Sequence, residues 1–310
     1  MPDQSVKRGA IPSPRSALAA AMPYVAPVGA PPNFIMKPQR ISMWGNDVHG
    51  DCVTAEEAFA KACNNPEIFI SEDEVIAWAT RHGVLEGAYL TQVMTWMQDD
   101  GFADAPFIYD DGPYFSVNWT DAGTLQSAIS TGPVKIGVAA DQIENAWWTT
   151  GGSTGWFASG FHADGNEDHC VTLCGYGSLS WLAQQLGVQV PAGVDGTQPG
   201  YAMFTWNSIG IIDVPSMTAV THEAWLRRPT TVTKTAGWQQ LDNNPATVDI
   251  AASGGNLYQR HNTGLIWQYT GTPLTGWQQL DNNPATVDIA ADGGNLYQRH
   301  NTGLIWQYLS

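Results

Sequence analysis

The spacing of apolar residues changes partway along this chain. In the stretches TAEEAFAKA, DEVIAWATRHG and YLTQVMTWMQ, between residues 54 and 98, the apolar positions are carried by good helix formers. From Val134 onward they gather into short runs, CVTLCGYG and YAMFTW among them, that end at glycine or a turn. The first pattern predicts helices from Cys52 to about Asn64, within 71–83, within 89–101 and over 120–131. Ser71 stands as N-cap of the second with Glu74 three residues on, the spacing of a capping box, and Thr120 or Asp121 caps the fourth. Helices followed by strands predict an α+β fold. Residues 1–40 are proline-rich and predict an irregular, extended arm or prosegment, ahead of a main domain at 41–230. Residues 178–200 look like an inserted helix and loop, which either narrows a neighbouring cleft or faces solvent without a role.

The tail follows a different rule. The segment at 237–269 recurs at 276–308 with one change, Ser253 to Asp292. Each copy divides into four short β segments, WQQL, ATVDIAA, NLYQRH and LIWQY, separated by Asn-Pro, Gly-Gly and Asn-Thr-Gly turns. Four strands in about forty residues is the pattern of a propeller blade, and two blades do not close a ring. The pair must pack on the rest of the chain, associate with blades of other copies, or be marginal.

Composition narrows the function classes. The 310 residues carry 13 basic and 29 acidic side chains, for a net charge of −16, so nucleic acid is not an expected partner. No apolar stretch is long enough to span a bilayer, and prolines interrupt the N-terminal alanine run, which makes a poor signal peptide. A cytoplasmic or non-classically secreted protein is the expectation. The four cysteines form neither a disulfide framework nor a CxxC metal spacing, and no cofactor is expected. Cys63 reads as a buried apolar residue, while Cys170 and Cys174 share one face of a strand. Asp164, Glu167 and Asp168 form an acidic cluster that reads as a solvated loop, with calcium or a basic substrate group as the less favoured alternatives.

Three residues point to thiol chemistry. Cys52 falls in the first turn of its predicted helix, where unpaired backbone N–H groups and the dipole lower a thiol pKa. His169 opens a buried strand that would hold an imidazole rigidly, and Asn207, in a second aromatic-rich strand, is placed to accept from it and fix its tautomer. A nucleophile, a base and an orienter of the base are the parts covalent catalysis requires.

The order Cys52, His169, Asn207, with these neighbours, resembles the papain-like cysteine peptidases. Asn46 and Gly50 stand where that family has its oxyanion-hole glutamine and a glycine, and GPVKIGV opens the segment before the histidine as in the family. The resemblance implies a two-lobed fold with the site in the cleft between lobes, Cys52 as nucleophile, His169 as base then acid, Asn207 as orienter, and Asn46 with the Cys52 N–H as oxyanion donors. It also implies peptide or protein substrates. The family's Asn-Ser-Trp-Gly is here Asn207-Ser208-Ile209-Gly210, so the usual indole is missing, and Trp206 is expected on the opposite face of the strand. The tail resembles tectonin- and tachylectin-type repeats. That likeness implies glycan contacts from Trp238, Tyr258, Trp267, Trp277, Tyr297 and Trp306, unless these aromatics form the core of each blade. Two other functions stay open: a lectin-like protein whose thiol site is degraded, and an amide or acyl transferase using the same three residues.

Overall fold

The computed structural model describes residues 6–26, 29–234 and 240–309. The chain divides into two units, residues 1–235 and 236–310.

The first unit is mixed α+β. Its main sheet runs, in spatial order, Tyr114–Ser116, Thr221–Arg227, Val134–Val138, His169–Ser178, Pro199–Thr205, Ser208–Asp213 and Phe157–Ala158, with Phe34–Ile35 paired beside the His169 strand. Only the pairing of Ser208–Asp213 with Phe157–Ala158 is parallel. Helix Cys52–Ala62 packs on the His169 strand, and helices Glu72–Arg81 and Leu90–Met97 pack beside it around Trp44, Phe59, Trp78 and Met94. A second apolar cluster joins helices Ala122–Thr131 and Asp141–Trp148 to the sheet through Leu125, Ile129, Ile143 and Trp147.

Local chemistry explains where the helices begin. Asp121 Oδ1 accepts from Thr124 N at 2.7 Å, and Ser71 Oγ accepts from Glu74 N at 3.3 Å. The capping box is only half made, because Glu74 Oε1 accepts instead from Ala103 N at 3.0 Å, tying the helix to strand Phe102–Asp104. The inserted segment forms helix Leu179–Leu186, capped by Ser178 and ended by Gly187 at φ 71°. Leu179, Leu182 and Ala183 are buried in the first apolar cluster, so this helix is a packed part of the unit.

Three expectations are corrected. The arm is not wholly irregular: it contributes strand Ala10–Ile11, helix Arg15–Ala20 and strand Phe34–Ile35. The run after Val138 is helix Asp141–Trp148, since Ile143, Ala146 and Trp147 at i, i+3 and i+4 give it one buried face. Cys63 is half-buried at the C-cap of the Cys52 helix.

The second unit is all β. Strands Thr247–Ser253, Asn256–His261, Ile266–Tyr269 and Trp277–Asp281 form one antiparallel sheet, and Thr286–Asp292, Asn295–His300 and Ile305–Gln307 form another. The fourth strand of the first sheet therefore comes from the second repeat. Among the described residues the two sheets close no propeller ring.

Candidate functional site

Cys52 is the first residue of a helix whose every residue is buried, and the cysteine itself is only 2% exposed. The backbone of Cys170 and of Gly9 lies near its sulfur and favours the thiolate. Burial nevertheless dominates and pushes the thiol up to about 12, so the sulfur is protonated in this arrangement. Asp51, just before it, is pushed up to about 8, chiefly by burial, and so carries its proton at neutral pH.

His169 begins the strand against which this helix packs, next to the Cys170 backbone that lies near the sulfur. Its Nε2 lies 2.8 Å from Thr205 Oγ1, and its Nδ1 is buried without a hydrogen-bond partner among the described residues. Burial, with a smaller contribution from the Arg8 charge, lowers its pKa to about 3.

Asn207 does not take the orienting position. Strands Pro199–Thr205 and Ser208–Asp213 are joined by a two-residue turn in which Trp206 has φ 42° and Asn207 φ 56°, both left-handed, as a tight hairpin requires. The turn exposes Asn207 and swings Trp206 onto the histidine, with ring centroids 4.3 Å apart and planes 17° from parallel. Thr205 and Trp206 thus surround His169 where the sequence led us to expect Asn207, with Trp206 on the far face. Ser208 fixes the hairpin: its Oγ accepts from the indole N–H groups of Trp147 and Trp156, each at 2.9 Å, and donates to Thr205 O. Gly210 is needed because a Cβ there would come within 2.0 Å of the Trp156 ring. Asn46 is buried, and its Nδ2 donates to His49 O at 3.0 Å, bracing the loop that leads to Cys52.

The N-terminal arm roofs these residues. Lys7 N donates to Asn46 O, and Lys7 O accepts from the Trp206 indole, both at 3.0 Å. Gly9 O accepts from Ala88 N at 2.8 Å, and Ala10 N donates to Asp168 O at 3.1 Å, next to His169. Ala10–Ile11 then pairs in parallel with Ala88–Tyr89, and Ser13 N donates to Glu223 Oε1. Position 9 must be glycine, since a Cβ would lie 1.6 Å from Gly50 O. Arg8 anchors the crossing through Asp141 and Glu144 at 2.5 Å and Asp168 at 2.7 Å. The acidic cluster is accordingly divided: Asp168 binds Arg8 and Ala140 N, Asp164 accepts from Asn166 N within its own loop, and Glu167, beside Glu223, is raised to about 9 mainly by burial. The signal for this crossing was the Lys7-Arg8-Gly9 run inside an otherwise proline-rich arm.

Beneath the Cys52 helix lies a feature the sequence pattern concealed. Glu56 and Glu57 are fully buried and face Lys135 and Arg227: Lys135 Nζ is 3.0 Å from Glu56 and also pairs with Glu57, and Arg227 reaches them at 2.8 and 3.1 Å. Lys61 pairs with Asp111 at 2.5 Å. Burial alone would raise the Glu57 pKa, but Arg227 and Lys135 bring it below the usual carboxylate range.

Of the aromatics considered for glycan contact, Tyr258 is buried in the core of the second unit, and Trp277 is half-buried with its indole donating to Leu241 O. Trp267 and Tyr297 are half-buried, Trp306 is exposed, and Trp238 lies outside the described residues.

No family model and no curated protein matches this chain. Among solved structures, the Amb a 11 cysteine protease of ragweed pollen in its proform aligns over 69% of this chain and 73% of its own, at 13% identity and TM-score 0.49. A digestive procathepsin L2 proteinase from Tenebrio molitor larval midgut aligns over 74% and 80%, at 14% identity and TM-score 0.48. A Carica candamarcensis cysteine protease in complex with E-64 aligns over 64% and 99%, at 13% identity and TM-score 0.46.

Proposed function

We propose that the first unit is a papain-like thiol peptidase described in a covered, latent state. The observation that carries this is a helix-start cysteine packed against the strand that His169 opens, with an extended stretch of the chain's own arm bonded to Asn46 on one side and Asp168 on the other. Cys52 is the nucleophile. Its proton passes to His169 Nδ1, the sulfur adds to the carbonyl carbon of a peptide bond, and the imidazolium returns the proton to the leaving amine. Water then cleaves the thioester with His169 again as base. Thr205, rather than Asn207, holds Nε2 and fixes the ring orientation. The Cys52 backbone N–H and the second amide hydrogen of Asn46 are the oxyanion donors.

The arm must leave before this chemistry starts, because a sulfur only 2% exposed has no room for a substrate carbonyl. We take peptide bonds as the substrate, a reading supported by the extended backbone of the arm bonded to Asn46, Ala88 and Asp168. The test is hydrolysis of a mixed peptide library by the chain after its arm is clipped, beside a Cys52→Ala chain treated alike. We expect thiol-dependent cleavage only in the former; equal activity in both, or none in either, rejects the proposal.

A further inference from the structure

The two repeats have nearly the same sequence but bury different residues. Ile266 is 2% exposed, whereas its counterpart Ile305 is 70% exposed. The difference is one strand: Trp277–Asp281 lies along Ile266–Tyr269, pairing Ile266 with Asp281, Trp267 with Gln279 and Tyr269 with Trp277, whereas among the described residues Ile305–Gln307 has a partner on one side only. At the other end the imbalance reverses. Ile289 is 7% exposed because the second repeat packs on the first, with Ile289 N donating to Asp249 and Gly294 N to Ser253, while its counterpart Ile250 is 68% exposed.

One operation removes both exposures. The second repeat sits on the first by adding its WQQLD strand to the LIWQY strand and covering its own isoleucine. The chain carries a further WQQLD at 238–242, identical to 277–281, and residues 240–242 are not in a strand. We propose that the first repeat of one copy docks on the second repeat of another as these two repeats dock within a chain. The contact is head-to-tail, with residues 238–242 of the incoming copy adding beside Ile305–Gln307. Carried over by the 39-residue period, the pairing sets Ile305 opposite Asp242, Trp306 opposite Gln240 and Tyr308 opposite Trp238. Leu241 would then fill the place Leu280 holds against Ile266. The unpaired edge is a template for another chain, and here the chain itself supplies the matching strand. A contact of this kind is heterologous, so it builds a ring if the rotation closes and an open string if it does not.

The test is the mass of the intact chain by light scattering after size exclusion, alone and in mixtures. We expect the native chain to run at two or more times the 33.5 kDa of a single chain. Leu241→Asp spoils the incoming strand, and Gln307→Pro spoils the receiving edge, so each variant alone is expected at the mass of one chain. Mixed, they retain one good half of each kind and are expected to form a one-to-one pair, which misfolded variants would not do. A native chain that is monomeric across micromolar concentrations, or a variant that keeps the native mass, overturns the proposal.

Discussion

Cys52 and Ile305 are both places this chain has the means to cover, yet one is 2% exposed and the other 70%. In the first unit the cover is laid by the arm, whose backbone bonds to Asn46, Ala88 and Asp168 while Arg8 locks onto three carboxylates. In the second unit the matching strand exists in sequence but is not on the edge it fits. Burial is thus conferred by whichever segment is laid alongside. On the two proposals above, the reactivity of the thiol and the stickiness of the edge depend on the same kind of event, the arrival or departure of a short extended strand.

The comparison breaks most sharply if the arm is removed. Burial pushes the Cys52 thiol up to about 12, so uncovering it raises the thiolate fraction at neutral pH. Deleting residues 1–13, or replacing Gly9 by valine to force the arm off, is expected to speed iodoacetamide labelling of Cys52 by about tenfold or more, read by peptide mass mapping. Unchanged labelling would mean that the arm is not the cover.

Next in size is Lys135→Met. It leaves Glu56 and Glu57 with Arg227 alone, and an uncompensated buried charge costs about 3–5 kcal/mol. Urea denaturation should show the first unit destabilised by that amount and the second unaffected.

A third effect sharpens the contrast through pH. His169 is held neutral to about pH 3, below the ordinary 6.5, so in acid the unfolded chain binds a proton that the folded chain refuses. The stability contributed is complete above pH 6.5 and is lost as pH falls toward 3, at about 1.4 kcal/mol per unit. His169→Gln should flatten that part of the pH profile for the first unit, and an unchanged slope would show that another group is responsible.

Much of this was legible in the sequence where a local rule decides the outcome. Ser71 and Asp121 cap their helices, Cys52 starts a helix, and His169 starts a buried strand, because capping and periodicity act over a few residues. The companions of His169 were not legible. A turn with tryptophan at a left-handed φ has no sequence signature, and shifting two residues from strand to turn exchanged Asn207 for Trp206 and Thr205. Nor was the ion cluster, since Glu56, Glu57 and Lys61 on one helix look like a solvent face until Lys135 and Arg227 arrive from strands far along the chain. The arm's path was equally hidden, for it depends on long-range contacts that only the folded unit provides.

That ion cluster also answers how the Cys52 thiol is aimed. A helix buried on all sides has no oily and watery face to settle its spin about its own axis, and small residues such as Ala55, Ala58 and Ala62 resist rotation weakly. Lys135 and Arg227, anchored on neighbouring strands, grip Glu56 and Glu57 and fit only one angular setting of the helix. The charges act as a key in a keyway, and because Cys52 is one turn away on the same rigid rod, they also set the direction in which its sulfur points.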